Sequence, residues 1–306
     1  MAVVGSGALG SVSAGLLARA GVGFLRIVDR DIVELDNLQR QGLFDESDVR
    51  DRLPKAVAAK RRIGAANSAI QIDARVADVT FGNAEGLLSD VDLVVDGTDN
   101  FETRFLLNDT CLKRKRPWIY GGCVGSNGMV MMIVPGRTAC FRCFVGSAPD
   151  PAHTQTCDTA GVVNAASSTV ASLQVAAALR FLAAGEVETR LITVDVWPIR
   201  VEAFDVKPSP GCRACAGEYE FLRAEEGSYA VTLCGRNAVQ VSPPAGRAVD
   251  LAAFERKIPG SQRNDYVLRF TAEGQDVTLF SDGRALIHGT TDPVRARTLY
   301  SRYIGS

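Results

Sequence analysis

The stretch VVGSGALGSVSAG, residues 3–15, decides the fold that this sequence predicts. It joins a short apolar run, a turn with the G-x-G-x-x-G spacing, and the start of a helix that continues to Ala20. Glycines let the backbone turn tightly and come close to a phosphate, and the amides and dipole at the start of the following helix favour an anion. The stretch therefore predicts a nucleotide site, whose glycines are Gly5, Gly7 and Gly10.

An acidic residue follows at the end of the second predicted strand. That strand covers Phe24–Val28, and Asp29 comes nineteen residues after Gly10. A carboxylate at this place in a strand–turn–helix–strand unit can accept both ribose hydroxyls of a nucleotide. On its own the pattern favours an NAD-dependent oxidoreductase, and a tight turn without any ligand is the other interpretation.

Polar and charged residues beyond this acid favour a triphosphate. They lie in DRDIVELDNLQRQ (29–41), in RLPKAVAAKRRI (52–63) and after the buried strand of DLVVDGTDN (92–100). Since the carboxyl ends of parallel strands form the ligand crevice of an open sheet, these segments can converge on phosphates. An enzyme that breaks a triphosphate needs cations and a metal-binding carboxylate, because charge builds on the phosphorus and the leaving group. The candidates are Asn37, Arg40, Lys55 and Asp99.

Three of these candidates also have a simple structural interpretation. Arg40 fits a surface salt bridge, and Lys55 fits a solvated helix residue. Asp99 fits the N-cap of a helix that begins near Phe101. Each alternative is reasonable for one residue taken alone, whereas the order of all the motifs in one chain favours the catalytic interpretation.

The motifs G-x-G-x-x-G, D-x-D-x-V-E-x-x-N-L-x-R-Q, P-K and D-x-T-D-N occur in that order. In this respect residues 1–222 resemble the ThiF/MoeB/HesA family, bacterial adenylyltransferases related to ubiquitin-activating enzymes. The resemblance implies a homodimeric enzyme that uses ATP and Mg²⁺ to adenylate the C-terminal Gly-Gly carboxylate of a ubiquitin-like sulfur carrier protein. By motif it implies a ribose contact from Asp29, a magnesium ligand in Asp99, and triphosphate contacts from Asn37, Arg40 and Lys55.

Four of the eight cysteines form two C-x-x-C pairs, in TACFRCF and PGCRACAG. Two such pairs fit a tetrahedral zinc site, although the 68 residues between them (144–211) exceed the spacing of compact zinc ribbons. The resemblance favours zinc, because members of the family commonly join these two places through that metal. Two unrelated turns with buried thiols are the alternative. The predicted ligands are Cys140, Cys143, Cys212 and Cys215.

Cys157 lies in the polar stretch AHTQTCDTAGVVNAASS (152–168), just before a predicted helix over Val162–Ala184. A helix dipole can favour the thiolate of a cysteine in this position. In the family that the chain resembles, this stretch is the crossover loop above the carrier tail, and some members use a cysteine there for a thioester or persulfide. The sequence leaves a catalytic role for Cys157 and a plain loop cysteine equally open.

The charge balance gives no reason to expect nucleic acid or a membrane surface as a partner. Lys plus Arg number 34 and Asp plus Glu number 35, so no strong electrostatic field is expected. The uncharged segment Ala160–Leu179 carries several polar residues and is predicted to be a helix buried in protein rather than a membrane span. The chain enters its first strand at once, without a secretory signal, so we expect reduced thiols and a cytoplasmic location.

Alternating strands and helices predict an α/β fold with a Rossmann-like, mostly parallel sheet covered by helices. We expect an ATP-binding adenylation domain with zinc knuckles over residues 1–222, followed by a small α+β domain over 228–306. In the second domain, helices are predicted at Leu251–Lys257 and Pro293–Tyr303, with strands before and between them. This part resembles the C-terminal extension of longer ThiF-type proteins.

The extension favours a ThiS-like carrier and the thiazole branch of thiamine biosynthesis. MoaD-like carriers and carriers for tRNA thiolation are the alternatives within the same class. Two alternatives come from other classes, an NAD-dependent oxidoreductase and a non-catalytic scaffold that binds a carrier without activating it. Both are disfavoured by Arg40, Lys55 and Asp99, which neither of them needs.

Overall fold

The computed structural model describes residues 1–147, 160–223, 230–233, 237–243 and 248–305. It divides into two compact units, Met1–Ala224 and Glu225–Ser306, each with its own sheet. Cys157 lies outside the described residues, so its covalent role stays a prediction.

Strands and helices alternate through the first half of the first unit. Its strands are β1 (Ala2–Val4), β2 (Phe24–Asp29), β3 (Gln71–Val76), β4 (Val94–Asp96), β5 (Trp118–Val124), β6 (Asn127–Ile133), β7 (Arg190–Val196) and β8 (Ile199–Asp205). Its described helices are α1 (Gly10–Arg19), α2 (Glu46–Arg50), α3 (Lys55–Ala66), α4 (Ala84–Leu87), α5 (Phe101–Lys113), α6 (Phe141–Val145) and α7 (Asn164–Ala184). All eight strands form one sheet in the order β3-β2-β1-β4-β5-β6-β7-β8.

The sheet is parallel from β3 to β5 and antiparallel from there to β8. The change occurs at the two-residue turn between β5 and β6, where Gly125 has a φ of +61°. So short a connection can join only antiparallel strands, because parallel strands need a long crossover. The predicted Rossmann-like α/β sheet is confirmed, and the antiparallel strands extend it at one edge.

The order of strands reverses between β1 and β4. From β1 the chain adds β2 and β3 on one side, and it then returns to place β4 on the other. Two hydrogen bonds of 2.7 Å, from Gly5 N to Val28 O and from Gly97 N to Val4 O, hold the ends of these strands together. A switch point of this kind is where an open α/β sheet forms its ligand crevice.

Helix α7 is long and apolar enough, by length and composition, to cross a membrane. One of its faces, which includes Val170 and Gln174, is buried, and the helix contacts α1 and strands β5 to β7. Gln174 donates from Nε2 to the carbonyl oxygen of Asp96 at 2.8 Å. These contacts are those of a core helix, and it begins at Asn164, two residues later than predicted.

The second unit is built on an antiparallel sheet. Its strands are β9 (Ala230–Leu233), β10 (Ala238–Val241), β11 (Gln262–Arg263), β12 (Val267–Ala272), β13 (Gln275–Phe280) and β14 (Ala285–His288), and their order is β11-β12-β13-β14-β10-β9. Helices α8 (Leu251–Lys257) and α9 (Pro293–Tyr303) pack on the sheet and share a core with Val239, Leu279 and Ile287. Neither β9 nor β11 was predicted; the two residues of β11 are too few to show a periodicity.

Two glycines of α1 should respond differently to substitution. A Cβ atom at Gly10 would lie 1.8 Å from the carbonyl oxygen of Gly5, whereas at Gly15 it would meet only Leu43 Cδ1 at 3.8 Å. We expect Gly10→Ala to lower the free energy of unfolding by more than about 2 kcal/mol. Gly15→Ala should leave it unchanged or raise it by up to about 1 kcal/mol, because alanine favours a helix. Chemical denaturation followed by circular dichroism measures both, and equal stabilities would contradict the tight turn.

Candidate nucleotide site and cysteine cluster

The glycine turn between β1 and α1 packs directly against the loop that follows β4. Gly5 has a φ of +84°, and a Cβ atom there would lie 2.6 Å from the carbonyl oxygen of Gly97. At Gly7 the nearest atoms are 3.9 Å away, so this part of the turn has room beside it. The N-cap residue of α1, Leu9, provides no side-chain cap. No N-cap side chain therefore occupies the start of the helix, where the helix dipole favours an anion, and Ser11 N donates to Gly7 O at 3.0 Å.

Asp29 connects the end of β2 to the glycine turn. Its Oδ2 accepts a hydrogen bond from Ser6 N at 2.6 Å, and its Oδ1 accepts one from Asp31 N at 2.7 Å. Burial raises the pKa of the Asp29 carboxyl, while Lys55 opposes the rise and the Asp31 carboxylate adds to it. Each carboxylate oxygen can accept a second hydrogen bond, which is what the predicted contact with ribose hydroxyls requires.

Lys55 is buried at the start of α3, with 2% of the residue exposed. Its Nζ lies 3.4 Å from Asp31 Oδ2, and its backbone N donates to Asp31 O at 2.8 Å. A positive charge in the first turn of a helix faces the unfavourable end of the helix dipole, so the carboxylate of Asp31 offsets that cost. The alternative of a solvated helix residue is wrong, because the chain holds this ammonium group inside.

Asn37 and Arg40 lie on one turn between β2 and α2. Asn37 is buried and donates from Nδ2 to Asp36 Oδ1 at 2.7 Å, whereas its Oδ1 has no partner among the described residues. Arg40 is half-buried, and its Nη1 donates to the carbonyl oxygen of Asp36 at 2.9 Å. Its hydrogen bond thus lies within its own turn, and no ion pair with another described residue supports the salt-bridge alternative.

Asp99 is exposed in the loop between β4 and α5. The N-cap of α5 is Asn100 and not Asp99, so the helix-cap interpretation of Asp99 is wrong. Asp96 anchors this loop from inside: its Oδ1 accepts from Thr98 N at 2.8 Å, and its Oδ2 lies 3.2 Å from Arg104 Nε. Burial raises the pKa of the Asp96 carboxyl, and the Arg104 guanidinium opposes that rise. The buried pair fixes the loop and leaves the Asp99 carboxylate at the surface.

The predicted nucleotide-site residues lie at or after the ends of β1, β2 and β4, in turns, loops and the first residues of helices, and their hydrogen bonds differ. Asp29, Lys55 and the glycine turn form one network of hydrogen bonds and ion pairs through Asp31. Arg40 and Asp99 make hydrogen bonds within their own loops. Asp31 and Gln41 were quoted in the motif but not singled out. The sequence could have identified both, since they are polar residues in a segment already predicted to face the phosphates.

The two C-x-x-C pairs come together as one cluster. The Sγ atoms of Cys140 and Cys212 are 3.5 Å apart, and those of Cys143 and Cys215 are 3.6 Å apart. All four lie within 4.8 Å of one another. Four thiolates around a zinc ion, with Zn–S bonds of about 2.3 Å, are about 3.8 Å apart. The cluster therefore has the dimensions of a four-coordinate metal site. The alternative that the two pairs are unrelated turns with buried thiols is wrong.

Helix α5 holds both halves of the cysteine cluster. Asn108 Oδ1 accepts from Phe141 N at 3.0 Å, beside the first pair, and Asp109 Oδ2 accepts from Phe221 N at 2.9 Å, beyond the second. Burial raises the pKa of the Asp109 carboxyl, and its bond to Phe221 N opposes the rise. The ring of Phe105 stacks on Phe221 and meets Phe141 edge-on. The same helix begins beside Asp99, so it connects the cluster to the candidate site.

The fold and these residues define a nucleotide-binding α/β protein whose sheet continues into an antiparallel extension bearing a cysteine cluster. The chain belongs to the ThiF family, whose defining sequence pattern matches residues 1–214.

Two curated relatives show how far the similarity extends. The chain is 41% identical to the "Sulfur carrier protein ThiS adenylyltransferase" of Bacillus subtilis in an alignment of 311 positions, gaps included, which covers 99% of this chain and 92% of the relative. It is 35% identical to the "SAMP-activating enzyme E1" of Haloferax volcanii, over 70% of this chain and 78% of the relative. The first of these similarities therefore includes the second unit.

Among solved structures, the crystal structure of E. coli MccB with ATP is similar, with a TM-score of 0.62 and 23% identity. The similarity covers 70% of this chain and 66% of that one, just under two thirds of its length. At this level of identity it supports the fold alone, which agrees with the Rossmann-like sheet described above.

The buried pair of Lys55 and Asp31 should be energetically coupled. Removing one charge leaves the other buried without its partner, and this destabilises a protein more than removing both. We expect Lys55→Met and Asp31→Asn each to lower the free energy of unfolding, and the double variant to recover about 1 to 3 kcal/mol of the sum. Denaturation of the four proteins measures this coupling, and additive effects would show that the two charges do not interact.

Proposed function

We propose that this chain is an ATP-dependent adenylyltransferase that activates the C-terminal Gly-Gly carboxylate of a ubiquitin-like sulfur carrier. The carrier is of the ThiS type, which places the reaction in the thiazole branch of thiamine biosynthesis. The observation that carries this proposal is the 41% identity to a relative named for that activity, along 99% of the chain. MoaD-like carriers and carriers for tRNA thiolation remain the alternatives, and membership of the ThiF family argues against an NAD-dependent oxidoreductase.

The proposed reaction transfers the adenylyl group of ATP to the carrier. The carrier carboxylate is ionised at neutral pH and needs no base. One of its oxygens forms a bond to the α-phosphorus, and the bond from that phosphorus to the bridging oxygen breaks, which releases pyrophosphate. The site must hold the carboxylate in line and neutralise the leaving group. In the proposal Asp29 holds the ribose, and Asn37, Arg40 and Lys55 hold the phosphates.

Asp99 is the proposed ligand for Mg²⁺. A carboxylate oxygen suits this hard cation, which is typically held by one or two carboxylates together with substrate phosphates. Its exposed position in the loop after β4, beside the glycine turn, supports this assignment. The ion supplies positive charge to the leaving pyrophosphate. Cys157 lies outside the described residues, and a covalent link to the carrier and a plain loop cysteine stay equally open for it.

Strand β8 supports a protein as partner. It is the edge strand of the sheet, and large apolar side chains there and in the preceding turn are exposed, 76% for Trp197, 89% for Ile199 and 65% for Val201. Apolar surface of this kind marks protein–protein contacts. Both proteins that the proposal includes, the carrier and a second copy in a cytoplasmic homodimer, need such a surface.

The proposal is tested by looking for the carrier acyl-adenylate. The full chain is incubated with ATP, Mg²⁺ and a ThiS-like or MoaD-like carrier, and the carrier mass is measured. We expect the adenylate on the ThiS-like carrier, and Asp99→Ala should lower ATP–pyrophosphate exchange by about 100-fold or more. Glu102→Ala, three residues away and also exposed, serves as the control and should retain exchange.

Three results would count against the proposal. Absence of adenylate with every carrier would favour a non-catalytic scaffold. Adenylate on the MoaD-like carrier alone would contradict the assignment to the thiazole branch of thiamine biosynthesis. Normal exchange in a folded Asp99→Ala variant would remove Asp99 from the mechanism.

We also propose that zinc is the metal of the cysteine cluster, because four thiolates at these distances suit its tetrahedral coordination. Untagged protein should carry one zinc ion per chain by elemental analysis. Cys215→Ser should lose most of it and unfold at lower temperature, since a structural zinc can contribute on the order of 10 kcal/mol. Cys111→Ala is the control, because Cys111 is buried in α5 outside the cluster. Full zinc content in Cys215→Ser would contradict the assignment.

A further inference from the structure

The side chain of Gln41 is buried against the glycine turn without the hydrogen bonds that an amide can make. Only 3% of the residue is exposed, and its Oε1 is buried with no hydrogen-bond partner among the described residues. Its Nε2 lies 3.9 Å from the position of a Cβ atom at Gly7. A buried amide without partners costs free energy. The Nε2 atom of the same amide faces the space beside Gly7, where it can donate to a bound group.

A second buried glutamine, Gln174, provides a comparison, because its side-chain amide makes hydrogen bonds within the fold. Gln174 donates from Nε2 to the carbonyl oxygens of Asp96 and Ile119, at 2.8 Å and 3.3 Å, and its Oε1 accepts from Ser13 Oγ at 3.4 Å. All of its partners belong to the surrounding helices and strands. Gln41 is also buried, with 3% of the residue exposed against 0% for Gln174, and it makes no such side-chain hydrogen bonds to the described residues.

Two more unsatisfied atoms border the same turn. Ser6 Oγ, within the turn, and Asn37 Oδ1 are both buried without partners among the described residues. Gln41 N donates to Asn37 O at 3.0 Å, so the backbone that carries both amides is fixed. Gly7 is only half-buried and has no side chain to fill the space beside it. The Ser6 hydroxyl can donate to a phosphate oxygen bound on the glycine turn, whereas the two amide oxygens need a donor.

We propose that Gln41 binds the phosphate chain of the nucleotide through its side-chain amide. This rests on the proposed function only for the identity of the ligand, a nucleoside triphosphate. Phosphate oxygens accept hydrogen bonds, and Nε2, the amide atom that lies beside Gly7, is a donor. Gln41 thereby adds a directional, neutral contact beside the charges of Lys55 and Arg40. Because it contacts the phosphate chain, Gln41 distinguishes nucleotides by their number of phosphates and not by their base.

Equilibrium binding to the full chain tests this role. Calorimetric titrations use AMP and a non-hydrolysable ATP analogue with Mg²⁺. Gln41→Leu should weaken the analogue roughly tenfold and AMP less than about twofold, as expected for one lost hydrogen bond to a charged group. Gln41→Glu should weaken the analogue by about 100-fold, because its carboxylate repels the phosphates. Gln39→Leu, two residues earlier and exposed, is the matched control and should bind like the wild type.

Thermal unfolding without nucleotide separates a ligand contact from a structural one. Leucine removes the unsatisfied amide, so ligand-free Gln41→Leu should melt at or above the wild-type temperature while the shift caused by the ATP analogue shrinks. A variant that melts lower or does not fold would assign Gln41 to the structure and overturn the proposal, as would wild-type affinity for the analogue. If the wild type binds no nucleotide, the proposed function itself fails.

Discussion

The close approach of three glycine backbones is the constraint on which the rest of this structure depends. The carbonyl oxygen of Gly5 lies where a side chain of Gly10 or Gly97 would have to be. This contact sets the end of β1 against the loop after β4, and the bond from Ser6 N to Asp29 adds the end of β2. The candidate site is assembled from segments that follow these three strands, so its geometry comes from the backbone before any side chain contributes.

The charged side chains at the candidate site are held in place by contacts within the protein. Lys55 is buried at the unfavourable end of α3, and Asp31 holds its ammonium group while the backbone N of Asp31 binds Asp29. A lysine in water would lose side-chain entropy when it bound a phosphate, whereas this one is already ordered. The unsatisfied atoms of Ser6 and Asn37 belong to the same arrangement. A polar site that is complete only with its ligand is less stable alone and better prepared to bind.

The sequence was most informative where function depends on local backbone conformation or residue spacing. The G-x-G-x-x-G spacing predicted the turn and the start of α1, and the two C-x-x-C pairs predicted one cluster. The acidic residue at the end of the second strand predicted a carboxylate close to the glycine turn. It was less informative where tertiary packing decides. The burial of Lys55, its pairing with Asp31 and the position of Gln41 beside Gly7 all depend on segments brought together by the sheet. The choice of Asn100 over Asp99 as the N-cap is a local ambiguity, because both side chains suit that position.

Helix α5 connects the cysteine cluster to the candidate nucleotide site, although none of the four cysteines is a predicted nucleotide contact. Arg104 joins the first turns of the helix to the buried carboxylate of Asp96, which fixes the loop that carries Asp99. Asn108 and Asp109 bind the two segments that bear the cysteine pairs. A helix held at both ends has little freedom to rotate or slide. One helix therefore makes hydrogen bonds both to the loop that carries Asp99 and to the segments beside the cysteine cluster.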